Sequence, residues 1–316
     1  MELLTIKGVQ SNFLTQIVEM NLPVLRFSTT PHCDAACSFC HNEGREIGTR
    51  GQETEKTPSF LSEDEVKQIA GYFRPYFDEI KFTGGEPTTT SNLANLVRIF
   101  ADEGYECSMV TNGALFDNPL QLELREAGLR RVNVSLPTLD EAQYVQFFGV
   151  DKLPRVLRNL RDMARNYERV KINFMASDAT IPSQISNMDS LSSELGITIS
   201  LIELARASTL ALPMSSRVVS YLTRDPGILT REESYERIGR RSVVTTNMGG
   251  RWEIDDFRDE GYRERAFDNA VCSSCDKIER CVEGPYALRI GYDGTARPCL
   301  IRSDNVLEFK GGYENN

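Results

Sequence analysis

The chain has 316 residues, enough to bury a full hydrophobic core, and the length fits one large domain with an appendage or two domains. Hydrophobic residues make up 40% and charged residues 26%, which excludes wholesale disorder. Lys and Arg number 36 against 46 Asp and Glu, and the net charge of −10 has the wrong sign for a protein whose main ligand is duplex nucleic acid.

No apolar run approaches the ~18 residues of a membrane-spanning helix, so no membrane partner is expected. The start Met1-Glu2-Leu3-Leu4-Thr5 lacks the basic region of a signal peptide, and a cytoplasmic location is expected. Eight cysteines exceed what disulfides explain in a reducing compartment, so metal ligation is their leading reading.

Residues 1–22 read as an N-terminal extension, 23–207 as an α/β domain and 208–316 as a C-terminal unit. Strands are expected at Val24–Thr29, Glu79–Thr83, Glu106–Thr111, Arg131–Leu136, Val170–Met175 and Ile197–Glu203. Helix signals fall between them. Ser62 three residues before Glu65 is a capping box, and Ser91 opens the apolar-periodic stretch Leu93–Ala101. Further helices are expected at Leu120–Ala127, stopped by Gly128, and at Leu157–Asn166. Six βα units in series argue for parallel strands joined by right-handed crossovers. Arg45–Ser59 is polar and reads as a long surface loop. After Ala207 the βα rhythm fades, and one helix is expected near Arg231–Arg241, with Arg240 and Arg241 at its solvated end.

Cys33, Cys37 and Cys40 follow the first strand with the spacing C-x3-C-x2-C. Three thiolates do not fill a tetrahedral zinc site, whereas on a 4Fe–4S cluster they leave one iron open to another ligand. Lys81-Phe82-Thr83-Gly84-Gly85-Glu86-Pro87 ends the second strand. Its glycines permit close backbone approach to a ligand and Glu86 offers a carboxylate to an ammonium, as the methionine part of S-adenosylmethionine requires. Near the C-terminus Cys272, Cys275, Cys281 and Cys299 are spaced C-x2-C-x5-C-x17-C, a pattern open to a four-cysteine zinc ribbon or an iron–sulfur cluster. Cys107 stands alone in a strand pattern and reads as core, and His41, beside the ligand loop, as a supporting or surface residue.

The motif Cys33-x3-Cys37-x-Phe39-Cys40 with Gly84-Gly85-Glu86-Pro87 resembles the radical S-adenosylmethionine superfamily. Leu25-Arg26-Phe27-Ser28, Thr111-Asn112-Gly113, Arg131 to Leu136, Val170 to Asn173, Leu201-Ile202-Glu203 and Asp293 to Leu300 together resemble its GTP 3′,8-cyclase branch. The resemblance implies an α/β fold, a partial (β/α)6 TIM-like barrel over 23–207, closed by a C-terminal auxiliary iron–sulfur domain over 208–316. It implies a radical enzyme that uses S-adenosylmethionine, a 4Fe–4S cluster on Cys33, Cys37 and Cys40, and a second, auxiliary 4Fe–4S cluster on Cys272, Cys275, Cys281 and Cys299. Phe39, Gly84, Gly85, Glu86 and Ser135 would contact S-adenosylmethionine, and Arg26, Lys81, Thr111, Lys171 and Arg289 the substrate. The partners implied are a small-molecule substrate and a reductant such as flavodoxin or ferredoxin.

The chain departs from the cyclase pattern in several places. Ala287 stands where one of two arginines is expected, Ala205 where a methionine is expected, Cys281 lies in an inserted stretch, and Gly311-Gly312 is not terminal. The expected substrate is therefore a nucleotide-like or otherwise anionic small molecule that is cyclised or rearranged after hydrogen-atom abstraction. The alternative enzyme is a peptide-modifying radical enzyme that crosslinks or epimerises. An iron–sulfur electron carrier or redox sensor would leave Gly84-Gly85-Glu86-Pro87 without a purpose.

Overall fold

The computed structural model describes residues 20, 22–40, 60–176, 181–203, 214–224, 226–236, 239–256, 268–276, 278–281, 284–300 and 307–308. The loop expected at 45–59, His41, Ala205, the boundary at 207, most of the N-terminal extension and Gly311-Gly312 lie outside them. Strands β1 (Val24–Ser28), β2 (Glu79–Thr83), β3 (Glu106–Thr111), β4 (Leu129–Ser135), β5 (Arg169–Ala176) and β6 (Thr198–Glu203) pair in sequence order, all parallel. The first and the sixth do not pair with each other, so the barrel is partial.

Later residues extend both open edges. A hairpin of β7 (Ile228–Glu236) and β8 (Gly239–Thr246) leads into β9 (Arg251–Asp256), which lies parallel to β6. β10 (Ala287–Ile290) lies parallel to β1 on its other side, followed by the antiparallel β11 (Thr295–Arg297) and β12 (Leu307–Glu308). The helix expected near Arg231–Arg241 is thus corrected to two antiparallel strands. Arg231 pairs with Glu233 on the same side of the strand, and Arg241 makes a bidentate bond to Asp255 across to β9 at 2.7 and 3.1 Å. The strand ladder and the Arg241–Asp255 bond override the helix propensity of Arg and Glu, and Arg241 is not a solvated helix end.

Seven of the eight α-helices among the described residues line the outside of the sheet: α1 (Glu63–Phe73), α2 (Leu93–Asp102), α3 (Asn118–Glu126), α4 (Glu141–Phe148), α5 (Leu153–Asn166), α6 (Ile181–Leu195) and α7 (Met214–Arg224); the eighth is the single turn Ala270–Ser273. The Ser62–Glu65 capping box forms in both directions and starts α1. The start of α2 differs from expectation: its N-cap is Asn92, which makes no side-chain cap bond. The strands alternate. Leu25, Phe27, Ile80 and Phe82 are buried toward the helices, where Phe27 and Phe82 both meet Phe100 of α2, and this leaves Arg26 and Lys81 on the opposite, inner face.

Candidate active site

Because β1 to β4 are parallel, the loops that follow them open at one end of the barrel. There the loops after β1 and β2 zip together beyond the sheet: Gly85 N donates to Thr30 O and Glu86 N to His32 O, both at 2.7 Å. A Cβ on Gly85 would stand 2.0 Å from His32 O, and one on Gly84, whose φ is 146°, would stand 2.7 Å from Thr30 O. The close approach that these glycines permit is therefore made, in this structure, by the chain's own backbone.

The cysteine loop hangs on the end of α4. Ala36 N and Ser38 N donate to the carbonyls of Phe148 and Phe147, groups that a helix end leaves without intrahelical donors. The Phe39 ring meets Phe148 edge-on, with centroids 5.6 Å apart. The Cys33 thiol is open on one side but pushed up to about 11. The protein packed around it is the main cause, opposed by the Ala35 N–H and reinforced by the negative charge of Glu86, Asp34 and Cys40. A thiolate there needs a compensating positive charge.

Glu86 is 2% exposed and joins the loops. Its Oε1 accepts from Thr88 N at 3.2 Å, Thr88 Oγ1 at 2.7 Å and Thr111 Oγ1 at 2.6 Å, while Oε2 accepts from Asn112 N at 2.7 Å. Burial pushes its pKa up against these donors. Oε1 is saturated, and Oε2 keeps room for one more donor. The Thr111 hydroxyl also accepts from Gly113 N at 2.9 Å, so this expected substrate contact is engaged within the protein.

A second knot was not foreseen in the sequence. Asp34, between the first two cysteines, accepts at Oδ1 from Asn112 Nδ2 at 2.7 Å and at Oδ2 from Lys152 Nζ at 2.6 Å. The same Nζ donates to the Asp34 carbonyl at 2.8 Å. The two side chains lie 118 residues apart, and no local motif signals such a pair.

The inner face of the sheet carries the expected cations. Arg289, Arg26 and Lys81 are register partners on β10, β1 and β2, beside Ser108 of β3. Lys81 is pushed down to about 8, first by burial and then by the charge of Arg26, Lys171 and Arg131, against the raising effect of Glu79. Arg289 is 4% exposed, donates to Ala287 O at 3.2 Å and lies over the Tyr286 ring, 4.8 Å from its centroid. Lys171 forms an ion pair with Glu253 of β9. Ser135 ends β4 opposite Asn173.

The C-terminal cysteines lie near one another: Cys272 is raised first by burial, against an Asn269 side-chain bond, and then by the charge of Cys299, Cys281 and Cys275. None of the eight cysteines is in a disulfide. Four cysteines in this pattern suit a four-thiolate metal centre, either a zinc ion or an iron–sulfur cluster.

Residues 27–178 match the Radical SAM superfamily. Proteins named "Probable GTP 3′,8-cyclase" are similar over nearly the whole chain. That of Methanococcus vannielii is 29% identical over 289 residues, covering 90% of this chain and 86% of its own. That of Pyrococcus horikoshii is 27% identical over 297 residues, with 92% and 87% covered. Among solved structures, Streptococcus suis SuiB bound to precursor peptide SuiA superposes with a TM-score of 0.61 at 15% identity, and the chain covers 62% of SuiB's length while 91% of this chain is aligned. Native anSMEcpe with bound AdoMet gives 0.57 at 13% identity, with 89% of this chain and 75% of that chain covered. At such identities the likeness is one of fold.

Proposed function

We propose that the chain is a radical S-adenosylmethionine enzyme, as the match over residues 27–178 and the cyclase-named relatives support, and that its substrate is a small, anionic, nucleotide-like molecule bound on the inner face of the barrel. Hydrogen-atom abstraction there leads to a cyclised or rearranged product. One observation carries the substrate class: Arg289, Arg26 and Lys81 sit side by side on three adjacent strands, and Lys81 is pushed down to about 8, first by burial and then by the charge of Arg26 beside it. Cations that repel one another in the resting protein are relieved by an anion.

When bound, a 4Fe–4S cluster with S-adenosylmethionine supplies the electron that splits the sulfonium into methionine and a 5′-deoxyadenosyl radical. Cys33, Cys37 and Cys40 would hold that cluster, on a loop fixed by α4 and by Asp34. Glu86 would take the methionine ammonium on the spare capacity of Oε2, with Gly84, Gly85, Phe39 and Ser135 around the same end of the barrel. Cys272, Cys275, Cys281 and Cys299 would hold a second 4Fe–4S cluster, closed on all four irons. The protein's remaining task is to orient the substrate and exclude water and oxidants.

The test is anaerobic turnover of reconstituted protein with S-adenosylmethionine, a strong reductant and nucleotides, GTP first, each deuterated in turn. Deuterium carried into 5′-deoxyadenosine from a phosphate-bearing substrate supports the reading. Cleavage of S-adenosylmethionine accelerated only by peptides, with no response to any anion, refutes it.

A further inference from the structure

Charged side chains stand on two walls of the barrel's inner face. On the wall of β10, β1 and β2 stand Arg289, Arg26 and Lys81 in register. On the wall of β5, β6, β9 and β8 two cations meet carboxylates: Lys171 pairs with Glu253, and Arg241 with Asp255. The register explains the first pair. Lys171 lies opposite Thr198 of β6, and Ser200, two residues on and on the same face, lies opposite Glu253 of β9, so the ion pair reaches diagonally over β6. The neighbours of Glu253 point the other way. Trp252 is buried among the helices with its Nε1 donating to Asp189 at 2.7 Å, and Ile254 is buried beside it.

We infer that Glu253 is a specificity-determining residue: carried in by β9, it holds Lys171 in an ion pair on the inner face and so withholds that cation from the anionic end of the substrate, which is left to the Arg26, Lys81 and Arg289 wall. This rests on the anionic-substrate reading above. Glu253 is 7% exposed, and pulling Lys171 away toward a ligand would strand a buried carboxylate. Burial alone pushes Glu253 up, yet Lys171, Arg241 and Arg251 hold it below the usual carboxylate range, so the carboxylate stays charged beside Lys171. A substrate is thereby oriented with its anionic end at β10, β1 and β2 and a neutral, hydrogen-bonding part at the Lys171–Glu253 pair. Lys171 stands on the inner face but is latched by Glu253.

The test is calorimetric binding of GTP and of inorganic tripolyphosphate to reconstituted protein, wild type against Glu253→Gln, Lys171→Met, the double variant and Lys81→Met. Glu253→Gln is expected to tighten both ligands about tenfold by releasing Lys171, and the double variant, which strands no carboxylate, to bind within about twofold of wild type. Lys171→Met alone leaves Glu253 unpaired and is expected to weaken both. Lys81→Met is expected to weaken binding about tenfold or more. If Lys81→Met weakens binding but Glu253→Gln does not tighten it, or if the double variant weakens it as much as Lys81→Met, the latch is refuted while the anionic reading stands. If the wild type binds neither ligand, both fall. Glu253→Gln is close in shape to the native side chain, and the double variant decides the question even where Glu253→Gln lowers the Tm.

Discussion

Gly85 stands so near His32 that a Cβ placed on it would meet the His32 carbonyl oxygen at 2.0 Å. That contact seals two loops that between them carry Cys33 and Glu86, through the bonds from Gly85 N to Thr30 O and from Glu86 N to His32 O. Gly85→Ala forces the loops apart and is expected to cost about 3 kcal/mol of stability in the metal-free protein, with the Tm falling accordingly. Iron retained on the Cys33 loop should fall with it. An unchanged Tm would show that the seam yields without strain.

Lys152 holds the cysteine loop from outside it. Lys152→Met removes its bonds to the Asp34 carboxylate and carbonyl and leaves a half-buried Asp34 with Asn112 alone. A loss of about 1–2 kcal/mol is expected, together with faster release of iron to a chelator. Lys152→Arg should restore much of both. Equal chelation rates for wild type and Lys152→Met would reduce the bond to decoration.

Lys81 sets the pH range of anion binding. Its resting value of about 8 means that an anion, which favours the ammonium, must bring a proton with it above that pH. Affinity for tripolyphosphate is therefore full below about 8 and falls as the pH rises through it. Lys81→Met should lose that dependence as well as affinity. A flat profile for the wild type between pH 7 and 9 would contradict the assignment.

Cys281 is the cysteine that separates a closed auxiliary cluster from an open one. Reconstituted protein should hold about eight iron atoms per chain in two 4Fe–4S clusters. Cys281→Ala should keep a second cluster but make it labile, or open to added ligands seen by electron paramagnetic resonance. An identical spectrum and iron content after that change would make Cys281 a bystander.

Much of the fold was legible where local chemistry fixes it. The capping box at Ser62 and Glu65 and the strands at Glu79–Thr83 and Glu106–Thr111 coincide with expectation, because caps and β-branched runs act over a few residues. The three-cysteine loop and the Gly-Gly-Glu-Pro run were visible for the same reason. What lay hidden depends on distant partners. Residues 231–241 carry Arg and Glu that suit a helix, and only β9 and the facing hairpin strand make them strands. The Asp34–Lys152 and Lys171–Glu253 pairs join residues 118 and 82 apart, and nothing in either neighbourhood names the other. The glycines of Gly84-Gly85 were expected to make room for a ligand, while the visible reason for them is a carbonyl of their own chain.

The position of β1 between β2 and β10 has a consequence for how the molecule is made. Val24–Phe27 finds β2 once about sixty further residues have left the ribosome, but its other edge stays open until Ala287–Ile290 emerges, close to the end of the chain. At about 5–20 residues per second that wait lasts on the order of ten seconds or more. Throughout it the strand that leads into the cysteine loop presents an unpaired edge, a site for wrong pairing until the last parallel strand covers it. Arg26 likewise gains Arg289 as its neighbour only at that moment, so the cationic wall and the seat of the auxiliary cysteines are completed in one late event.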